Sequence, residues 1–595
     1  MSLLRPEKSD AYALFIGRMR MIKVKKKERN FPEMTSLYQL VDLMSEKENK
    51  CAFKYFGRNR ELIEISYKDF QTQVFSEAAG LIAEGLGQKR IAVIGETSTY
   101  WISTYLATII SGGVAVPMDK DLQPEEISAF LAFADIDAVV YGESYHEKFS
   151  NMINSHPSVK TFLPISDTVK QETIGETRII PLQKLIDLGR DKYETAEIIL
   201  TPPETIDRMA VMLFTSGTTG SSKCVMLSER NVISSCNSAF LSVDFFKEDV
   251  TVSVLPIHHT YELCITLAEL SLGVTICIND SLRHVLKNFA FFKPTALILV
   301  PLFVNTMYKK IIDEVRRKGM ESNLKTGLKI SKFARHFGLN LSKRLFGQIT
   351  EAFGGNLKKI ICGGAPLNPE MVDVFGEFGI QICEGYGITE CSPLVAVTPY
   401  FAPKRGSVGP AVPSCKVRID LGPHPEKNAA GYEEGEICVC GSNVMMGYYK
   451  NEEATREVFT SDHFFRTGDI GYMDKDGYIY ITGRKKSVIV LENGKNVFPE
   501  EIEEHLGKIE EVGECVVVGR KESDGETVYL VAIIYPNDKA FAPGTSIEEM
   551  KAVIDARVQE VNKKLVRYKQ IRSVEIRDTE FEKTTSKKIK RFLLH

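Results

Sequence analysis

The sequence predicts an α/β protein with parallel sheets covered by helices on both faces, an antiparallel stretch, and a small α/β unit at the C-terminus. Three observations carry this. From about residue 90, short β-branched runs alternate with amphipathic stretches, the pattern of strands joined by crossover helices. After about residue 430 the runs shorten and turns punctuate them, an antiparallel texture. After Gly483, one more helix–strand alternation fills about 110 residues.

Taken in order, residues 1–30 are polar and basic and end in IKVKKKERN. They read as a solvated arm or surface helix, with a membrane or partner contact as the alternative. RIAVIGE reads as a buried strand, TYWISTYLATIISGG as a helix with a glycine stop, and VAVPMD and DAVVYGE as further strands. The alternation recurs in TVSVLPI, TICIND, TALILVP, KKIICGG and IQICEGYG. Ligands of such sheets sit beyond the carboxyl ends of the strands, where Gly-rich loops leave them. EGEICVCG, FFRTGDIGYMD and GYIYITGRKKSVIVLENG are the turn-rich strands. The last unit holds a helix in EEIEEHLGKI, strands in ECVVVGR and VYLVAIIYP, a helix near 547–565, and a strand in SVEIRD. A boundary is expected at Arg484–Lys486.

Composition narrows the class. The chain has 595 residues, 44% hydrophobic and 26% charged, which excludes disordered, collagen-like and disulfide-stapled proteins. Lys and Arg number 75 and Asp and Glu 78, so no global charge draws nucleic acid or an anionic membrane. The twelve cysteines form no CxxC pair and no zinc spacing, which suggests a reducing compartment. The start lacks the apolar core of a signal peptide, and the longest apolar candidate, Leu263–Ile278, is broken by Glu269. The expectation is a cytoplasmic, soluble protein.

Residues 213–227 read LFTSGTTGSSKCVML. A strand runs into a loop with two glycines, several hydroxyls and a lysine. Such a loop can offer backbone N–H groups, hydroxyls and a cation to a polyphosphate. It is not a Walker A loop, because Ser222 precedes Lys223 and Cys224 follows it. Read alone, it is equally a plain Gly/Ser/Thr turn.

It does not stand alone. GGAPL (363–367), YGITE (386–390), FRTGD (465–469), GRKK (483–486) and KTTSKKIKR (583–591) follow it in order. With these six segments the chain resembles the adenylate-forming, or acyl-activating, superfamily. The resemblance runs from roughly residue 35 to the end. LPIHHTYE (255–262), the segment from VPLFVNTMYKKI to GGNLKKIICGGAPL, and GETSTYW with GGVAVPMDKDLQPEEI are similar to its long-chain fatty acyl-CoA synthetase branch.

The resemblance implies a body of two doubly wound sheets plus a distorted β-barrel subdomain (1–486) and a small mobile α/β lid (487–595). It implies ATP, Mg²⁺ and CoA, and two half-reactions. The acid becomes an acyl-adenylate with loss of pyrophosphate, then a thiol displaces AMP. An acyl-ACP synthetase with a carrier-borne thiol is the rival, and a catalytically silent nucleotide-binding protein a more distant one.

Residue roles follow from the same resemblance. Thr215, Ser216, Gly217, Thr218, Thr219, Gly220 and Lys223 hold the phosphates. Gly364, Ala365 and Pro366 wall the adenine, on which Tyr386 stacks beside Gly387. Thr389 bonds the α-phosphate and Glu390 holds Mg²⁺. Asp469 takes the ribose hydroxyls and Arg484 reaches the ribose or phosphate. His259 lies beside the substrate carboxylate, with a packed core histidine as the competing reading, and His258 stands where the branch has an apolar gate. Lys588 is the catalytic lysine of adenylation, with Lys587 next to it. Lys486 is the hinge, and Gly494 belongs to the loop that meets the thiol tunnel. Amino-acid-activating relatives carry an aspartate near the segment matching LPIHH, and none stands in 255–262.

Residues 308–345 are rich in Lys and Arg. Phe303, Met307, Ile311, Ile312 and Val315 recur at helical spacing, which predicts an amphipathic helix with a cationic outer face. It is read as a solvated helix packed on the body, a contact with an anionic membrane, or a docking face for an acidic acyl carrier protein.

Overall fold

In a computed structural model of the chain, the described residues are 33–594 without 48, 153–158, 167, 216–222, 338, 423–426, 429, 492–495, 522–527 and 584–588. The basic arm read in residues 1–30 lies outside them.

Two large sheets form the body. One has eight strands, and at its centre Val250–Ser253 lies between Ala296–Leu299 and Thr275–Ile278, all parallel. Lys359–Gly363 and Gln381–Gly387 extend it in parallel, and Leu394–Val397 closes that edge antiparallel. The other has nine strands, with Val114–Met118, Arg90–Ile94 and Ala138–Gly142 adjacent and parallel at its centre. Met209–Thr215 continues that sheet, and Lys223–Ser228 turns back antiparallel beside it.

In each sheet the chain reverses its winding direction. The connection after Val250–Ser253 goes to one side and that after Ala296–Leu299 to the other, which opens a crevice at the carboxyl ends. The helices behave as their patterns require. Thr99–Ile110 starts with Ser98, whose side chain accepts a hydrogen bond from the Trp101 N–H, and it is buried along most of its length. Thr260–Leu272 stops at Gly273, whose φ of +81° suits glycine.

A third, five-stranded sheet is antiparallel throughout and includes Gly435–Gly441, Phe465–Met473 and Tyr478–Arg484. It occupies the place expected for the barrel-like subdomain. One apolar core joins residues from Met34 to Ile479. A separate core, from Val497 to Val574, lies under the antiparallel pair Val512–Lys521 and Val528–Pro536, with Ile571–Ile576 parallel beside it. The expected alternation therefore appears in the expected segments. Among the described residues, no helix is long and apolar enough to cross a membrane.

The basic region is three helices rather than one: Pro301–Arg317, Glu321–His336 and Ser342–Glu351. Met307 and Ile311 of the first are buried as the spacing predicts.

Candidate active site

One cleft is lined by residues of the six motif segments, including Thr215, Gly364, Glu390, Asp469, Lys486 and Arg591. The two sheets, the antiparallel sheet and the C-terminal unit all contribute to it.

Asp469 sits in the strand Phe465–Met473 and is only 3% exposed. Its Oδ2 accepts a hydrogen bond of 2.6 Å from the Tyr386 hydroxyl. Its Oδ1 pairs with Arg484 Nε at 2.9 Å, since Arg484 is its cross-strand neighbour. The Asp469 N–H is tied to Thr467 Oγ1, and the Thr467 hydroxyl donates to Ile437 O. Burial, then the adjacent Asp469, pushes the Tyr386 hydroxyl well above its ordinary range. It stays a donor at any working pH.

Glu390 lies in the turn Thr389–Cys391, after the strand Gln381–Gly387. A Cβ on Gly387 would meet Pro393 O at 2.2 Å, so only glycine allows this close return. The Met445 N–H donates to Glu390 O at 2.8 Å and fixes the turn. Glu390 Oε1 accepts a hydrogen bond of 2.9 Å from the Tyr448 hydroxyl. Lys223 Nζ stands 4.5 Å from the centre of the Tyr448 ring. Tyr448 therefore joins the lysine of the first motif to the carboxylate of the third.

Thr215 and Lys223 are cross-strand partners at the foot of the first loop, and the Thr215 hydroxyl donates to Lys223 O at 3.3 Å. Ser216, Gly217, Thr218, Thr219 and Gly220 lie outside the described residues, as do Gly494, Lys587 and Lys588. The stem around the last two is described. Lys583 and Ile589 form a β-bridge, and the Arg591 guanidinium pairs with Glu503 on the helix Pro499–Leu506. Cys224, which follows Lys223, is buried with its thiol pushed up to about 12, so it is no nucleophile at neutral pH.

Gly364 has a φ of +84°, and Gly364, Ala365 and Pro366 form an exposed ledge on the cleft. Thr389 is half-buried and lines the cleft. His259 is half-buried at the start of the helix Thr260–Leu272, on the same cleft. His258 is the more enclosed histidine, at 7% exposure, and its Nε2 is 3.4 Å from Asp119 Oδ2. Its ring centre is 4.2 Å from that of His259. Arg484 and Lys486 are exposed at the edge.

Sequence reasoning missed three side chains here. Tyr448 bridges two motifs. Glu436 gathers Arg466 at 3.0 Å, Lys485 at 2.9 Å and the Gly468 N–H at 3.2 Å, bracing the turn that aims Asp469. Asp119, just past the distant strand Val114–Met118, brings its carboxylate beside His258.

A carboxylate has about four lone-pair sites, and Asp469 has given one from each oxygen, so a vicinal diol can still be accepted. Among the described residues, no three His, Cys, Asp or Glu side chains gather at metal-binding distance. Glu390, on the same cleft as Asp469, is a carboxylate suited to an ion that also takes phosphate oxygens and waters.

The family model described as AMP-binding enzyme matches residues 43–449, and that of the AMP-binding enzyme C-terminal domain matches 486–594. The peroxisomal long chain acyl-CoA synthetase 7 of Arabidopsis thaliana is 28% identical over 578 residues, which are 92% of this chain and 80% of that protein. The long-chain-fatty-acid–CoA ligase FadD15 of Mycobacterium tuberculosis is 27% identical over 567 residues, 89% of this chain and 90% of its own. The adenylation domain of a Mycobacterium chelonae carboxylate reductase superposes with a TM-score of 0.76 at 22% identity, covering 99% of this chain and 96% of that one.

Proposed function

This chain belongs to the AMP-binding enzyme family, and from that membership we propose that it is an AMP-forming acid–thiol ligase that activates a fatty acid with ATP and transfers it to CoA. The observation that carries the reading is the convergence on one cleft of two tied clusters: Asp469 with Tyr386 and Arg484, and Glu390 with Tyr448 and Lys223.

Each residue has a task in the first half-reaction. A carboxylate oxygen of the acid bonds to the α-phosphorus, and the bond to the bridging oxygen breaks, releasing pyrophosphate. Asp469 accepts from the ribose hydroxyls and Tyr386 packs on the base, which holds the nucleotide still. Gly364, Ala365 and Pro366 leave room for the flat ring, and Gly387 keeps the Tyr386 turn close. Thr389 donates to the α-phosphate, while residues 215–220 and Lys223 take the phosphates that leave. Glu390 would hold Mg²⁺, which would neutralise phosphate charge. Lys588 spans the carboxylate and the α-phosphate, so it acts where negative charge moves.

In the second half-reaction the thiol sulfur bonds to the acyl carbon and loses its proton, and the bond to AMP breaks. We assign 1–486 to a body and 487–595 to a lid that turns at Lys486, bringing the loop with Gly494 to the thiol. Apolar lining of the same cleft by Phe56, Ile257, Ile265, Ile278, Leu282 and Phe303 supports a long apolar acid. His259, with His258 and Asp119 beside it, orients the acid's carboxylate.

Pyrophosphate release over carboxylic acids of increasing length tests the reading. Release that depends on the acid, followed by consumption of CoA rather than of a holo-carrier thiol, is expected. Release without any acid would refute it, and consumption of the carrier thiol alone would replace CoA as acceptor.

A further inference from the structure

The helix Glu321–His336 has one docked face and one exposed face. Its inner face is already docked. Ser331 and Ala334 are buried, the Ser331 hydroxyl donates to Glu377 O at 3.1 Å, and a Cβ on Gly327 would meet the Phe346 ring at 3.1 Å. The body therefore does not need the outer face for packing. Yet that face carries Ile330, Phe333 and Phe337 at helical spacing, with Phe333 68% and Phe337 64% exposed and their rings 5.0 Å apart. Leu339, 59% exposed, continues the patch beyond the helix.

The charges around the patch have one sign. Between Glu321 and Glu351 the sequence contains no acidic residue. Lys325, Lys329, Lys332, Lys343 and Arg344 are exposed there and make no ion pair among the described residues. In a chain whose net charge is −3, this is a strong local excess.

We propose that this face, centred on Phe333 and Phe337 and ringed by Lys325, Lys329 and Lys332, docks the protein on an anionic lipid surface. Aromatic side chains projecting from a lysine-rich helix face suit the boundary between headgroups and acyl chains. A second copy of the chain fits poorly, because a self-complementary interface would set the same cations against one another. The preceding helix, Pro301–Arg317, begins at the cleft with Pro301 and Phe303 and packs against Glu321–His336, so the patch and the cleft share one helical bracket.

The test reads lipid binding alone and does not depend on acid activation. The full chain is sedimented with vesicles of phosphatidylcholine, and with vesicles of phosphatidylcholine mixed with phosphatidylglycerol. Binding to the mixed vesicles is expected, weakening as salt rises. Lys329→Glu with Lys332→Glu should weaken it roughly tenfold or more, Phe333→Ser with Phe337→Ser should abolish it at low salt, and Lys551→Glu elsewhere should leave it unchanged. Emission from Trp101, the sole tryptophan and fully buried, checks that each variant is folded. No binding to the mixed vesicles, equal binding by the folded variants, or a dimer dependent on Phe333 and Phe337 would overturn the proposal.

Discussion

At the scale of single residues, charge decides the chemistry. Lys588→Ala should slow adenylation by about 10²–10³-fold, on the order of 3–4 kcal/mol. Thioester formation from supplied acyl-adenylate should be spared, and Lys587→Ala is the control. Equal damage to both half-reactions, read by single-turnover assay, would remove Lys588 from the reacting centre. A second prediction concerns buried acids. Burial lifts the Glu77 carboxyl to about 7 and the Glu262 carboxyl to about 8, against the opposing hydroxyls of Ser103 and Thr104 and of Ser253. Each binds its proton more tightly folded than unfolded. Their contribution to stability is therefore complete below the ordinary carboxylate value and is lost as pH rises through about 7 to 8. Shifts of this size amount to roughly 3 kcal/mol or more per group. The melting temperature should fall from about pH 5 to about pH 9, and Glu77→Gln with Glu262→Gln should flatten the profile. A profile equally steep in the double variant would assign the loss elsewhere. The motif residues that line the cleft were legible because each lies in a short run of unusual composition. Tyr448, Glu436 and Asp119 were not. Tyr448 reaches the site only because Gly447–Tyr448 pairs with Lys223–Ser228, a contact between segments more than two hundred residues apart.

At the scale of elements, periodicity revealed the strands and helices but not their neighbours. KKIICGG and IQICEGYG read as buried strands and lie side by side as expected of crossover units. The pairing of Cys51–Phe56 with Thr275–Ile278 joins the start of the body to its middle, and nothing local signals it. Nor does spacing show that the basic region breaks into three helices. Close helix packing gives a further prediction. The helices Tyr67–Ala83 and Leu182–Glu194 meet at glycine, where a Cβ on Gly189 would lie 1.9 Å from Ser76 O and 2.3 Å from Gly80 N. Gly189→Ala should cost about 1–3 kcal/mol of stability by forcing the helices apart. Gly347→Ala, in an open position of the helix Ser342–Glu351, should be neutral or slightly stabilising. Thermal melts of the two variants check the contrast, and equal losses would refute the packing argument.

At the scale of the whole molecule, exposed polar contacts join the C-terminal unit to the body. Among the described residues these include Arg316 to Glu510 at 3.4 Å and Lys508 to Glu370 at 3.9 Å. Such exposed pairs hold weakly and yield to salt. The proposed reorientation at Lys486 would give up such pairs at little cost. Lys486→Pro should restrict that turn and slow one half-reaction far more than the other, by about tenfold or more in rate. A uniform loss, measured on adenylation and thioester formation separately, would remove Lys486 from the pivot. The two-sheet body and the small final unit were foreseeable from sequence, because each has its own run of alternating elements. How the units meet was not, since single salt bridges between distant charges leave no pattern in the chain.

Asp469 and Arg484 face each other across adjacent strands, and Lys486 follows two positions later. On the proposed turn at Lys486, the axle of the swing would be riveted to the grip on the sugar. A seated nucleotide would then stiffen the bearing and a departing one slacken it, so that the load is sensed at the pivot and not at the rim.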